Sequence, residues 1–445
     1  MRAIRSRKVL IDASWSPADI IMDEQGRIAE VVSYMSADVD ATVGEKPAAV
    51  IDHGELCVMP GLVDTHVHLN EPGRTEWEGA TTGTAAAKAG GITTLIDMPL
   101  NSSPVTTSLT AIREKAAAVS GKLSVDMGFH GGLIPDNARD IGALCQSGVW
   151  AIKAFLCPSG LDEFPHVTRG DLEVAMPIIA DAGHVLMVHA EVQQPAPSAE
   201  GSRRYVDHMK SRPPAFERVA IEMMIDLVRQ TRCPVHIVHL ADAGCLDILA
   251  SAREEGLPIT VETCPHYLIF DADSVADGDT RFKCAPPIRD RANREGLWQG
   301  LRDGVIDFIV SDHSPCPPED KDLSEGRFDH AWGGISSLQI GLPAVWTEAC
   351  KRGHSLVDVW RWMSAAPGEL IGMEAPFQPG RPAHICVFDP GAIWKCDARD
   401  LHHRHAITPY DGRTFQGKVV TTYVWGDASQ KRSGRLVHPT AGEAL

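Results

Sequence analysis

The 445-residue sequence lacks several features that mark common classes of protein. No stretch stays apolar for the roughly 18 residues that a membrane-spanning helix needs. No GxGxxG follows a candidate strand, so no motif supports a dinucleotide-binding fold. Positive charge is scarce, since 42 Lys and Arg face 59 Asp and Glu, a net charge of −17. A general basic surface for nucleic acid is therefore excluded, and adsorption to anionic membranes is disfavoured.

Cysteine is present, but never in a CxxC pair. The eleven cysteines are scattered singly, and their odd number argues against a complete disulfide framework. The residues after Met1 are polar and basic, unlike the apolar segment of a secretory signal. We therefore expect free thiols in a reducing compartment, and we predict a cytoplasmic protein.

Short apolar runs recur along the chain, and a helical pattern follows most of them. Their continuous hydrophobicity is typical of parallel strands covered on both faces. Eight strand–helix units in about 300 residues predict an α/β fold, a (β/α)8 TIM barrel, with a doubly wound open sheet as the alternative. The first helix is predicted over Thr75–Ala89, ending at Gly90. The runs are 58–69, 91–98, 123–129, 149–156, 184–189, 234–239, 258–268 and 305–312.

The two ends of the chain differ from this pattern. Strand candidates with turn residues between them occupy Asp19–Met22 and Ile28–Val32, and similar segments return at His384–Asp389 and Gly417–Gly426. Neither end is long enough to form a strong core alone. We therefore predict two domains: a barrel over 57–367, and a small, β-sandwich-like domain built from 1–56 and 368–445.

Histidines and a carboxylate end several of the predicted strands. His66 and His68 are two residues apart, so both imidazoles point the same way from the first strand. His189, His239 and Asp312 end the fifth, sixth and eighth strands, at the barrel face where such enzymes keep their sites. Imidazole and carboxylate are the usual ligands of hydrolytic zinc-type sites. The sequence therefore predicts a metal site there.

Lys153 lies inside the fourth apolar run, where an unpaired ammonium group is costly. A side chain that snorkels to the strand end is one interpretation. The other is a carbamate formed with carbon dioxide, N6-carboxylysine, whose two oxygens could bridge two cations. One metal would then be held by His66, His68 and Asp312 and a second by His189 and His239. The carbamate and a hydroxide would bridge them, and Asp312 would act as the proton shuttle.

These residues resemble the amidohydrolase superfamily, in its cyclic-amidase branch of dihydroorotases, hydantoinases and allantoinases. The resemblance extends over nearly the whole chain. It implies two divalent metal ions per subunit, zinc with Co, Mn or Fe as alternatives, CO2 for lysine carboxylation, and a homotetramer. The motifs that carry it are Pro60–His68, Lys153, His189–Glu191, His239 and Ser311–His313.

Within that branch the sequence is most similar to allantoinases. Segments 70–74, 98–101, 153–160, 311–318 and 331–335 carry this similarity. It implies hydrolytic opening of the hydantoin ring of allantoin to allantoate, in purine degradation, by a metal-activated hydroxide. It also implies a small-molecule substrate, with no nucleic acid or membrane partner. The substrate contacts it implies are Asn101, Cys157, Ser159, Ala285 and Gly334.

Departures from the sister families support the same substrate. Dihydroorotases generally carry an arginine, which grips the substrate carboxylate, where this chain has Asn70, and losing that partner disfavours an acidic substrate. Hydantoinases usually place a tyrosine where Pro158 stands and a serine where Ala285 stands. Hydantoinase or dihydropyrimidinase activity remains the alternative. A catalytically dead oligomeric scaffold is disfavoured, because all six expected ligand positions are filled.

Other reactive side chains near strand ends receive a structural interpretation. A nucleophilic role for Cys157 is unnecessary beside a metal-activated hydroxide. The surplus histidines at 130, 236, 266 and 313 are expected to be satisfied by hydrogen bonds. The histidine-rich stretch 402–405 lies outside the barrel positions, and we expect it at the surface.

Overall fold

The computed structural model describes residues 2–35, 49–373, 376–429 and 432–439. Within these ranges the strands are β1 (Arg2–Ile11), β2 (Ser14–Met22), β3 (Ile28–Ser33), β4 (Ala49–Asp52), β5 (Cys57–Pro60), β6 (Leu62–Val67), β7 (Ile92–Asp97), β8 (Asp126–Phe129), β9 (Gly131–Gly132), β10 (Ile152–Phe155), β11 (Leu186–His189), β12 (Val235–Ile237), β13 (Ile259–Thr263), β14 (Phe308–Ile309), β15 (Ile385–Lys395) and β16 (Thr414–Tyr423).

The helices follow the barrel strands in alternation, as the sequence pattern predicts. They are α1 (Ala80–Ala89), α2 (Leu109–Val119), α3 (Ile141–Cys145), α4 (Arg169–Asp181), α5 (Tyr205–Ser211), α6 (Ala215–Thr231), α7 (Leu246–Glu254), α8 (Pro265–Ile269), α9 (Arg291–Arg302), α10 (Gly341–Lys351), α11 (Leu356–Trp360) and α12 (Ala366–Leu370). Among the described residues, no helix combines the length and apolarity needed to cross a bilayer.

Parallel strands form the barrel. Strands β6, β7 and β8 pair in one sheet, and β9 to β14 pair in sequence order in another. His130 alone separates β8 from β9, and its N–H donates to Asp97 O at 2.9 Å. A parallel bridge between Val67 and His313 joins the first strand to the segment after the last. Every residue of β6 and β7 is buried, as expected for strands covered on both faces. The predicted barrel is therefore confirmed.

Both ends of the chain contribute to one further sheet, in the order β16-β15-β5-β1-β2-β3, with β4 beside β1. Its own apolar cluster includes Ile4, Ile20, Val58, Ile385 and Tyr423. Strand β5 leads through Gly61 directly into β6, so this β-rich region is joined to the barrel at the first barrel strand. The domain limits at 56/57 and 367/368 stay a prediction, and parts of both end segments, 36–48 and 440–445, lie outside the described residues.

Candidate active site

Six side chains meet at the carboxyl ends of the barrel strands. His66 Nε2 lies 3.3 Å and His68 Nε2 3.5 Å from Asp312 Oδ1. His189 Nδ1 lies 3.0 Å from His239 Nε2, and the rings of His66 and His239 are 5.4 Å apart. Lys153, in the fourth barrel strand, interacts electrostatically with both of those rings. The structure thus brings the six residues His66, His68, Lys153, His189, His239 and Asp312 together, all of them buried.

The donor atoms of this cluster suit divalent cations. Ligand atoms of His66, His239 and Asp312 all lie within 4.8 Å of one another. Burial lowers the pKa of His66 and His239 well below the usual range for histidine, which keeps both rings in the neutral form that ligates metals. Neutral imidazole with carboxylate is a donor set for zinc and related ions.

Lys153 is buried without a hydrogen-bond partner among the described residues. It is 1% exposed, and Nζ makes no hydrogen bond in the described part of the structure. Burial lowers the pKa of Lys153 to about 8. A neutral amine is the form that adds to carbon dioxide, and a carbamate would replace the unpaired group with an anion facing the histidines. The snorkelling interpretation does not fit a side chain with so little exposure.

A carboxylate behind the cluster holds the first histidine. His66 Nδ1 donates to Glu262 Oε1 at 2.5 Å, which leaves Nε2 to face Asp312. The other oxygen of Glu262 accepts from His236 Nε2 at 3.0 Å, and His236 Nδ1 is 2.7 Å from Thr260 Oγ1. Glu262 therefore fixes the tautomer and orientation of His66 as a potential ligand.

A second carboxylate, Glu191, orients His189 at the end of the fifth barrel strand. Glu191 Oε2 accepts from His189 Nε2 at 2.7 Å, so Nδ1 is the nitrogen that faces His239. Glu191 also forms an ion pair with Arg212. Burial opposes ionisation, but the Arg212 guanidinium and the hydrogen bond from His189 lower the pKa of Glu191 to about 2. The carboxylate is thus charged and holds the imidazole in one tautomer.

Comparisons with known proteins agree with this geometry. A model of the amidohydrolase family matches residues 57–437. The chain belongs to the amidohydrolase family. The allantoinase of Streptomyces avermitilis is 44% identical, covering 95% of this chain and 94% of its own length. That of Arabidopsis thaliana is 45% identical, covering 94% and 88%, and that of Saccharomyces cerevisiae is 39% identical, covering 100% and 98%. The predicted resemblance to allantoinases is confirmed.

Solved structures of hydantoinases share the fold. L-hydantoinase from Arthrobacter aurescens has a TM-score of 0.89 and 27% identity, covering 98% of this chain and 99% of its own. D-hydantoinase from Bacillus sp. AR9 has a TM-score of 0.87 and 25% identity, with both chains fully covered. This amidohydrolase thus has the barrel and the additional β-region of a cyclic amidase.

Four residues at the site of the amidohydrolase have a left-handed backbone. His239 and Asp312 have φ of 41° and 43°, and Asn70 and Asn101 have φ of 63° and 66°. Residues with a Cβ seldom adopt this left-handed region, and they do so mainly where function requires it. At two of the six cluster positions, and in the loops beside them, the fold thus tolerates strain to aim particular side chains.

The predicted substrate contacts lie in loops after these strands. Asn101 Nδ2 is 3.4 Å from Ser314 Oγ, and Asn70 Nδ2 donates to Asn101 O at 3.3 Å. Asn70 Oδ1 is buried with no partner in the described structure, so it is available as an acceptor. A Cβ on Gly334 would fall 2.1 Å from Ser314 O, so only glycine fits there. A Cβ on neighbouring Gly333 would fall 3.9 Å from the backbone nitrogen of Ala285.

Two other predicted contacts use their polar atoms elsewhere. Ser159 Oγ donates to Phe164 O at 2.6 Å, within its own loop. Cys157 Sγ lies 3.7 Å from Arg212 Nη2, and burial raises the pKa of the thiol to about 12. Cys157 therefore stays protonated, in agreement with the prediction that it is no nucleophile. Substrate contact by either residue stays a prediction.

The surplus histidines divide into two kinds. His130 Nε2 donates to Thr65 O at 2.9 Å, His236 is bonded as described above, and His313 Nε2 is 3.2 Å from Glu78 Oε2. His266 differs, because neither ring nitrogen has a partner in the described structure, contrary to our expectation. His403 is buried against the His313 ring at 4.9 Å, so the prediction of a surface position is wrong for this residue.

Sequence reasoning missed the two supporting carboxylates. Glu262 is 196 residues from His66, and no local pattern distinguishes it from any polar residue in a strand. Glu191 offered a weak signal, since it is two residues from His189 at a strand end. Its partner Arg212 lies at the end of α5 and could not be assigned without the fold.

Proposed function

We propose that this protein is an allantoinase that opens the hydantoin ring of allantoin to allantoate, in purine degradation. The observation that supports it most is that six side chains suited to two divalent cations converge at one end of the barrel, in a chain 44% identical to an allantoinase. The substrate carries no charge, in keeping with a site that has Asn70 where dihydroorotases carry arginine.

The residues that would hold the cations are divided between two positions. His66, His68 and Asp312 would hold one and His189 and His239 the other, with Lys153 between them as a carbamate. When bound, the pair would polarise the ring amide carbonyl and supply a nucleophilic hydroxide at neutral pH. Zinc suits these donors, and Co, Mn and Fe are alternatives.

Asp312 carries the proton in this mechanism. Oxygen from water bonds to the carbonyl carbon, the C–N bond of the ring breaks, and the nitrogen takes the electron pair. The water proton passes to the Asp312 carboxylate and then to the departing nitrogen. The products are a carboxylate and a second ureido group, so atoms and charge balance with release of one proton. The left-handed backbone of Asp312 directs its carboxylate back over the histidines.

The site also suits a neutral ureido compound. Asn70 Oδ1 offers an unpaired acceptor. The Asn101 amide and the Ser314 hydroxyl lie at the same rim of the site. A guanidinium at position 70 would instead favour a carboxylate. These groups can bond the N–H and C=O atoms of a ureido arm without any charge.

The direct test is a side-by-side assay of allantoin, hydantoin, dihydrouracil and dihydroorotate, with metal content measured on the same sample. We expect the highest kcat/KM for allantoin and close to two metal equivalents per chain. Turnover of dihydroorotate with none of allantoin would overturn the proposal. A sample with full metal content and no activity on any of the four would also overturn it, and would favour the scaffold.

Hydantoinase or dihydropyrimidinase activity is the second candidate. It is favoured by the likeness to L-hydantoinase over almost the full length of both chains. The same assay separates the two, because a hydantoinase should turn over hydantoin or dihydrouracil faster than allantoin.

Compartment and assembly complete the proposal. We propose a cytoplasmic homotetramer. All eleven cysteines are free in the structure, which suits a reducing compartment. A relative from Aquarana catesbeiana, 44% identical over 88% of this chain, is named a mitochondrial allantoinase, so cell fractionation is the deciding measurement. Light scattering on the purified enzyme tests the tetramer.

A further inference from the structure

Beside the six-residue cluster lies a second group of three ligand residues, two of which the mechanism does not use. Cys264 directly follows β13, His266 lies in the first turn of α8, and Asp312 follows β14. One ligand atom from each of the three lies within 4.8 Å of the other two. We propose that Cys264, His266 and Asp312 form a third cation site, for a soft divalent ion such as Zn²⁺ or Cd²⁺, whose occupation inhibits the enzyme.

His266 is the observation that points to a ligand. Its side chain is 0% exposed, yet neither Nδ1 nor Nε2 has a hydrogen-bond partner among the described residues. Buried polar groups are nearly always paired, because an unpaired one costs about 1–3 kcal/mol. The other surplus histidines of the barrel follow this rule, each with at least one bonded nitrogen. A bound cation would give His266 the partner that the protein does not.

The donor types define the class of cation. Thiolate, imidazole and carboxylate together make a three-ligand set with a fourth position open, as in many zinc sites. Thiolate selects soft ions over Mg²⁺ or Ca²⁺. Cys264 is fully buried, and its thiol would lose its proton on binding the cation.

Inhibition follows because the two sites share Asp312. One Asp312 oxygen would ligate the catalytic cation, and a third cation on the other oxygen would leave none to accept a proton from water and pass it to the leaving nitrogen. This consequence rests on the proposed function, but binding at the third site does not. Excess zinc would therefore suppress turnover without removing the two cations of the catalytic cluster.

Cadmium titration of the metal-loaded enzyme tests the proposal. A thiolate bound to Cd²⁺ absorbs in the ultraviolet through charge transfer, and the catalytic cluster contains no thiolate. We expect this band to grow to one equivalent per chain while activity falls in parallel. Metal analysis should still find the two original equivalents. No band at cadmium concentrations that abolish activity would overturn the proposal.

Variants locate the band. Cys264→Ser and Cys264→Ala should both abolish it, so a folding defect in one leaves the other informative. Loss of a residue that only hydrogen-bonds to a metal ligand lowers metal affinity by about ten- to a hundredfold. Because His266 would itself be a ligand, we expect His266→Gln to raise the half-saturating cadmium concentration about a hundredfold. Cys245→Ser, which changes another buried thiol, should leave the band intact. Loss of the band in Cys157→Ser instead would place the cation with His189 and Glu191 and contradict the proposal.

Discussion

At the amino-terminal end of the barrel, the Asp126 carboxylate is fully used. It accepts from Trp425 Nε1 at 2.9 Å, Arg435 N at 2.8 Å and His384 Nε2 at 3.0 Å. These three partners all lie in the carboxyl-terminal part of the chain, between His384 and Arg435. At the carboxyl end, by contrast, Lys153 and His266 have buried nitrogens without partners. The Asp126 carboxylate is thus satisfied by the protein alone, whereas Lys153 and His266 keep unbonded nitrogens.

The same contrast separates two buried lysines. Lys115 and Lys153 are each 1% exposed. Lys115 forms an ion pair with Asp97 and donates to Met98 O at 2.9 Å, whereas Lys153 has no hydrogen-bond partner in the described structure. Equal burial therefore has different meanings: the ion-paired lysine belongs to the fold, and the lysine without a hydrogen-bond partner suits the carbamate proposed for Lys153.

The largest effect should come from Lys153→Ala. Without the bridging group we expect fewer than two metal equivalents per chain and a fall in kcat of about a thousandfold or more. Metal analysis and the allantoin assay measure both. Lys115→Ala is the matched control, and it should lose stability while retaining its metals. Full metal content and full rate in Lys153→Ala would show that the lysine bridges nothing.

Asp126→Ala tests the amino-terminal end of the barrel. Three donors would lose their acceptor, so we expect the free energy of unfolding to fall by about 3 kcal/mol. Chemical denaturation measures the loss. The KM of the folded variant for allantoin should stay as in the wild type, since Asp126 is at the far end of the barrel. A raised KM with normal stability would contradict the division between the two ends.

The sequence was enough to predict which residues gather at one end of the barrel, but not which residues support them. His66 and His68 share a strand, and continuous apolar runs give the strand ends where His189, His239 and Asp312 stand, so local pattern and fold rules suffice. Glu262 meets His66 only through the closed barrel. Local pattern also misplaced the first helix, which begins at Ala80 rather than Thr75.

That helix start has a physical cause. Asn70 adopts φ of 63°, and the Glu71 carboxylate accepts from the Ala80 N–H at 2.9 Å. Residues 70–79 are thereby held as a loop beside the site, although their composition permits a helix. Long-range polar contacts of this kind leave no trace in a hydrophobic pattern, which is why fold class was predictable and loop structure was not.

Glu191→Gln tests the supporting carboxylates, with an intermediate effect. The neutral amide no longer attracts Arg212 or holds His189 in one tautomer, so we expect metal affinity to fall about ten- to a hundredfold. Competition with a chelator gives the affinity. Glu217→Gln is the matched control, since Glu217 is a buried carboxylate that accepts from Ala241 N at 2.9 Å and touches no candidate ligand. Equal losses in both variants would mean that Glu191 has only a general structural role.

The smallest effect is expected for Ser159→Ala. This variant tests whether Ser159 is a structural residue, like Asp126, or part of the site. It lies at the carboxyl end of the barrel, yet its hydroxyl donates to Phe164 O at 2.6 Å and accepts from Leu161 N at 3.2 Å, as fully used as Asp126. Losing those bonds should lower the free energy of unfolding by about 1 kcal/mol and change the KM for allantoin less than about threefold. A tenfold rise in KM with unchanged stability would instead make Ser159 a substrate contact, because the hydroxyl would then exchange its loop partners for the ligand.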